Sequence, residues 1–278
     1  MQQADFVALV QAAQSLESMS LTTRMSQLVG MPIERAMAAL PGHWSTIVTR
    51  ITKAALKKAL DGALFSLKST SREPANKTHK ILASLSGALG GSFGITALAI
   101  ELPVSATIML RSIADIARSE GEDLEDVDAK MACLTVFALS GGGAGSESAD
   151  TSYYAVRSFL TKALNDTANH IATRGVTKEG APALVKLLSV VSTRFSVPVS
   201  EKLAAQGIPA IGLLGGASVN LLFINHYQKM AKAHFTVRRL ERRYGEELIK
   251  QVYMEIITSH SENNSNVVPN PYLTLKNK

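Results

Sequence analysis

The sequence predicts an all-α protein, one helical domain built around two glycine-bearing apolar helices and packed by basic amphipathic ones. Three observations predict it. Apolar residues recur along most of the chain at three- and four-residue spacing, and strand-type alternation is almost absent. Aromatic residues make up only 5% of the 278 positions, a composition suited to close helix crossings lined by small side chains. Mean hydropathy is slightly positive at +0.11 although 19% of the residues are charged, so charge must be segregated from long apolar runs.

Taken in order, residues from about Asp5 to Leu16 have helical spacing, and Pro32 opens a short helix that stops at Pro41-Gly42. From Trp44 a strong amphipathic helix turns Ile47, Val48, Ile51, Ala55 and Leu56 inward and Arg50, Lys53, Lys57 and Lys58 outward. Ser69–Asn76 reads as a loop. Ile81–Ile100 carries no charge and is long enough on paper to span a bilayer, although Gly87, Gly90, Gly91 and Gly94 crowd it and Glu101 ends it. Pro103 then suits the first turn of the next helix. In GEDLEDVDAK, Asp123 is the expected N-cap, with acidic residues in the first turn. Ser140–Asp150 is glycine-rich and reads as a flexible loop. Helices follow over about Ser152–Thr173 and Pro182–Val197.

The longest element starts near Gly216 and runs unbroken to Tyr244, ahead of a last amphipathic helix to about Ser259. Around it, Met230, Ala233, Val237, Leu240 and Tyr244 form an apolar stripe. A polar ladder with a seven-residue step borders that stripe: Asn220, Tyr227, His234 and Glu241, with Arg238 between the last two. Gly90 and Gly91 in the first apolar run, and Gly215 and Gly216 in the second, are the expected helix-packing glycines, since small residues let backbones approach closely. The tail from 259 to 278 is polar, proline-broken and expected to be disordered.

Net charge of +6 and a pI near 9.4 favour anionic partners. An anionic membrane surface or a membrane protein complex suits Lys53, Lys57, Lys58, Lys232, Arg239 and Arg243, which are expected to face outward beside apolar helices. Nucleic acid is not expected, because few aromatics interleave with the basic residues and no reader motif is present. Cys133, the only cysteine, sits in an apolar run and is expected to pack as a small hydrophobe in a reducing compartment. No secretory signal is read at the N-terminus.

Several catalytic and cofactor signatures fail on context. Gly90–Gly94 has the letters of a nucleophile elbow without the preceding strand. GGGAGSES lacks the Lys-Ser/Thr ending of a phosphate loop, and the acidic run lacks the glycine of a calcium loop. No Cys/His cluster has zinc spacing, so neither a metal nor a cofactor is expected. Glu101, Asp115 and His234 are left as candidate acid/base residues, with Arg111, Asn220, Arg238 and Glu241 as candidate ligand or anion binders. Arg111 and Asp115 stand i, i+4 on one helix and can pair. The competing reading is structural: such groups often serve as interhelical ion pairs.

Two motif blocks carry a resemblance. One is Ala88–Gly91, Glu101-Leu102-Pro103, Arg111–Asp115 and Gly121-Glu122-Asp123. The other is Gly212, Gly215, Gly216, Asn220, Phe223, Asn225, His226, Ala231, His234, Phe235, Arg238–Glu241, Tyr244 and Gly245. In this order they resemble the EcsC family, from about Met31 to Tyr253, which divides the chain into an extension (1–30), a domain (31–258) and the tail. The family is named for a bacterial protein whose gene neighbours encode an ABC transporter, and its molecular activity is not established. The resemblance, with the segregated charge, implies a cytoplasmic binding or regulatory protein, peripheral to the inner membrane or to a transporter complex. The alternatives are a hydrolase acting on a lipid or peptide through Glu101, Asp115 and His234, and insertion of the glycine-rich runs into the bilayer. A hydrolase would stay folded on Glu101→Gln while losing activity.

Overall fold

A helix that is apolar on every side has to be enclosed by others. Val127–Leu139 is that helix: every residue from Met131 to Leu139 is buried, Cys133 among them. In the computed structural model, which describes residues 1–17, 21–38, 43–60, 94–140, 153–174, 182–206 and 212–262, ten α-helices and no strand occur among the described residues. They are α1 (Gln3–Glu17), α2 (Leu21–Val29), α3 (Ile33–Ala38), α4 (Trp44–Ala59) and α5 (Gly94–Ser119). After these come α6 (Val127–Leu139), α7 (Tyr153–Arg174), α8 (Pro182–Gln206), α9 (Gly212–Tyr244) and α10 (Glu246–Glu262). Helices α5, α7, α8 and α9 pack around α6, while α4 lies against α5 and α8. The protein is a single all-α domain, as the sequence predicts.

Four features differ from the sequence reading. The first thirty residues are no appendage: Phe6, Leu9, Ala12, Ala13, Leu21 and Met25 enter the common core, with α1 packed on α9 and α10. Glu101 ends nothing, because α5 continues through it and through Pro103. Pro103 cannot donate to the Ala99 carbonyl. Ala99 and Ile100 are exposed, which leaves that carbonyl near water, while Leu98, Leu102, Ala106 and Leu110 hold the helix to the core on either side of the proline. Likewise α8 passes through Pro198 to Gln206.

The fourth difference is the start of α6. Asp126, not Asp123, is its N-cap and accepts from the Asp128 amide at 3.1 Å. Asp123 instead accepts from the Glu125 amide inside the preceding turn. That turn is set by Gly121, whose φ of 83° lets the Gly121 and Glu122 amides return to the carbonyls of Arg118 and Ala117. This closes the helix with the paired bonds of a left-handed glycine terminus. Glu120 and Glu122 emerge from the turn toward α9.

Gly90, Gly91 and the Ser69–Asn76 loop lie outside the described residues, as do most of Ser140–Asp150 and the tail beyond residue 262. Gly215 and Gly216 lie in the first turns of α9. Among the described residues, no helix is long and apolar enough to cross a membrane.

Candidate functional site

The candidate acid/base trio is not one site. Glu101 and Asp115 stand fourteen residues apart on α5, about 21 Å along the axis at 1.5 Å per residue. Glu101 Oε1 accepts from Lys202 Nζ of α8 at 2.6 Å, with the lysine side chain 0% exposed and the glutamate 6%. The ammonium also lies 5.3 Å from the Phe223 ring centroid. This is a buried ion pair joining α5 to α8. Asp115 accepts from Arg118 at 3.4 Å, one turn further on, while Arg111 is exposed on the outer side of α5.

His234 takes its place in a different network. Its Nδ1 is 2.9 Å from the Tyr153 hydroxyl, which also accepts from Arg157 Nη1 at 3.2 Å. Arg157 donates onward to Glu241 at 2.6 Å, and the Tyr154 hydroxyl reaches the same carboxylate at 2.8 Å. The rings of Tyr153, Tyr154 and Tyr253 stack edge to face or tilted, and Tyr253 donates to Glu17. Burial, reinforced by the charges of Arg157 and Arg238, holds His234 far below the ordinary histidine range. Burial also pushes the Tyr153 phenol up. A neutral imidazole, set against the rings of Tyr153 and Phe235, joins α7 to α9. Tyr153→Phe leaves Nδ1 without its partner beside a buried Nε2 that has none among the described residues. A loss of about 1–3 kcal/mol is expected, measured by urea unfolding.

The ladder of α9 is thus more deeply buried than its borderline position implied: Asn220, Tyr227 and His234 are all inside. The basic face of α9 is engaged by carboxylates of its own chain. Arg238 grips Glu122 with two bonds, at 2.8 and 3.2 Å, and reaches Asp128 at 2.9 Å. Arg242 bonds the same Glu122 and the Glu120 carbonyl. Lys232 and Arg239, seven residues apart on one side of α9, converge on Glu120. Arg239 and Arg243, four apart, both reach Asp5 of α1, which also accepts from the Tyr244 hydroxyl at 2.6 Å. Lys232 and Arg243, exposed as expected, and the half-buried Arg239 also clamp α1 and the α5–α6 turn onto α9 through these ion pairs. Burial opposes ionisation of Glu120, yet the bonds from Lys232 and Arg239 keep its pKa below the usual carboxylate value. The Tyr244 bond, with help from Arg243 and Arg239, outweighs desolvation and holds Asp5 low.

On α4 the picture is mixed. Lys53 is half-buried and donates to Ser189 of α8 at 2.6 Å. Arg50, Lys57 and Lys58 are exposed, and no carboxylate among the described residues pairs with them.

Several of the positions that the structure pairs, among them Glu101, Asp115, Glu122, His234, Arg238, Arg239, Glu241 and Tyr244, fall in the two blocks that carried the family resemblance. A family model described as EcsC protein family matches residues 6–240. The chain belongs to the EcsC family. The match begins inside α1, so the family unit takes in the first helices that the resemblance alone had left out. No curated protein and no solved structure matches this EcsC-family chain. Among its described residues, no group of histidine, cysteine and acidic side chains is placed to hold a metal.

Sequence reasoning missed Lys202, Tyr153, Arg157, Glu120 and Glu122 as partners. Only Glu122 had a signal, as a motif position. Lys202 and Arg157 are isolated cations in otherwise ordinary helices, and nothing in their neighbours marks them as buried.

Proposed function

We propose that this EcsC-family protein acts by binding, associating peripherally with an anionic membrane surface or a membrane protein complex through the outer face of α4. The observation that carries this reading is the division of its cations. Most of those of α9, although several are exposed, are ion-paired with Glu120, Glu122, Asp128 and Asp5, whereas the exposed Arg50, Lys57 and Lys58 have no carboxylate partner among the described residues. Three such cations near an anionic leaflet contribute on the order of 3 kcal/mol together, about a hundredfold in partitioning. The hydrolase alternative is weaker, because Glu101, Asp115 and His234 each serve a different neighbour and do not converge on a reacting atom.

The test is co-sedimentation with anionic vesicles at low and high salt. The triple variant Arg50→Glu, Lys57→Glu, Lys58→Glu is expected to stay folded and to lose salt-labile binding about a hundredfold or more. Sedimentation unchanged by that variant refutes α4 as the contact face. Absence of sedimentation by the unaltered protein refutes the vesicle-surface form of the reading and leaves a protein partner.

A further inference from the structure

Helices α4 and α8 pack antiparallel along one seam. Thr49 Oγ1 stands 3.1 Å from Ser196 Oγ, and one turn further along α4 Lys53 Nζ donates to Ser189 Oγ at 2.6 Å, so rising numbers on α4 meet falling numbers on α8. The same order places Lys57 of α4 level with Lys186 of α8. At about 100° per residue, Lys57 and Arg50 lie about 40° and 60° from Lys53, both toward solvent, whereas Lys58 lies about 140° away. On α8, Thr193 and Lys186 lie about 40° and 60° from Ser189, again toward solvent. Lys53 and Ser189 thus make a half-buried floor, with Arg50 and Lys57 on one bank and Lys186 and Thr193 on the other.

Four cations line this trough, and no carboxylate among the described residues pairs with any of them. Lys53 is the most telling. A charge drawn partly out of water is usually paired, yet this ammonium meets only a neutral hydroxyl. Ser189 gives its own proton to the Val185 carbonyl at 2.7 Å, so it serves Lys53 purely as an acceptor. The other two N–H bonds of Lys53 have no acceptor among the described residues. Helix ends do not decide the local charge, because α4 finishes where α8 begins and their partial charges oppose.

We infer that the α4–α8 trough binds the phosphomonoester headgroup of a lipid, with Lys53 and Lys186 donating to its oxygens and Arg50 and Lys57 supplying the surrounding charge. The inference rests on the α4 contact face proposed above and adds which lipid that face selects. A phosphomonoester carries about 1.5 to 2 negative charges at pH 7 and three acceptor oxygens, whereas a phosphodiester carries a single charge and has two free oxygens. Several donors on opposite banks match the first better than the second. The trough runs along the outer surface, and Val185, in the first turn of α8, is 44% exposed there, which fits a ligand presented by a bilayer.

The full-length protein is sedimented with phosphatidylcholine vesicles carrying phosphatidic acid or, at equal surface charge, phosphatidylglycerol, and affinities are read from lipid titrations. Binding to both is expected, severalfold tighter to phosphatidic acid. The double variant Lys53→Gln, Lys186→Gln keeps an amide at position 53 for Ser189. It is expected to lose the preference while salt-labile binding to phosphatidylglycerol persists through Arg50, Lys57 and Lys58. Lys186 is exposed, so Lys186→Gln alone leaves the packing intact, and its reduced preference decides the matter if the double variant melts early. Equal affinity of the unaltered protein for the two lipids overturns the headgroup site and leaves the α4 contact face standing. A preference that survives the double variant, or a variant that loses both lipids in equal proportion, overturns the trough as its source. Sedimentation on neither vesicle refutes both the headgroup site and the vesicle-surface form of the α4 reading.

Discussion

Lys202→Met is expected to lower stability by about 3–5 kcal/mol, because it leaves the Glu101 carboxylate buried without its cation. In a chain of this size that corresponds to a fall in Tm of about 6–20 °C. Glu101→Gln should be destabilising for the mirror reason: the Lys202 ammonium would remain fully buried against Phe223 with its charge uncompensated. The double variant Glu101→Gln, Lys202→Met removes both charges and is expected to recover much of the loss, since a buried pair contributes little net stability beyond an apolar replacement. Thermal melts of the three proteins check this. Additive losses in the double variant would mean that the two side chains are not coupled. The same result bears on catalysis, because a glutamate whose removal unfolds the protein is not a dispensable acid waiting for substrate.

Stability is also expected to fall steeply as pH drops below 6.5, well before carboxylates protonate. His226 is pushed down to about 3 by burial and the charges of Arg24 and Lys229, and His234 lies well below its ordinary value by burial and the charges of Arg157 and Arg238. A histidine whose folded pKa is depressed stabilises the fold above its unfolded value of 6.5, and that contribution is lost as pH falls toward the folded value. Each one adds a slope of about 1.4 kcal/mol per pH unit in that interval, so the pair gives about 2.7. Asp5 and Glu120, also depressed, add to the loss once pH falls below their ordinary values of 3.8 and 4.5. Glu201 works the other way: its raised pKa stabilises the folded state at low pH and is lost as pH rises through the folded value. Urea unfolding from pH 7 to pH 4.5 measures the slope, and His226→Gln should roughly halve it. A flat profile over that range would mean the imidazoles are solvated.

The α9 clamp changes what surface charge means in this protein. A pI near 9.4 suggests one broadly basic face, yet the densest run of cations, Arg238 to Arg243, is directed at carboxylates of its own chain. Single pairs of this kind contribute little when exposed. Here Glu120 and Glu122 are themselves buried and each receives two cations, which fixes how α1 and the α5–α6 turn sit on α9.

Much of the fold was legible because helical periodicity is a local property. The stripe Met230, Ala233, Val237, Leu240 is buried as its spacing required, α4 turns Val48, Ala55 and Leu56 inward, and Cys133 is enclosed. The prolines misled for the same reason. Pro103 and Pro198 are strong local stop signals, but the apolar faces on either side of each bury enough surface to carry the helix past one lost hydrogen bond.

By itself, then, the sequence determined the all-α class, the apolar faces of the helices and, through two motif blocks, the family. Those follow from side-chain spacing along one element, which the chain states directly. Only the tertiary structure decided which charge meets which: that Lys202 neutralises Glu101, that Tyr153 holds His234, and that the α9 arginines face Glu120, Glu122 and Asp5. These partners stand between 81 and 238 residues apart in sequence. Pairing over such distances depends on how the helices pack, because ion pairs and buried hydrogen bonds are selected by geometry in space rather than by any periodicity along the chain.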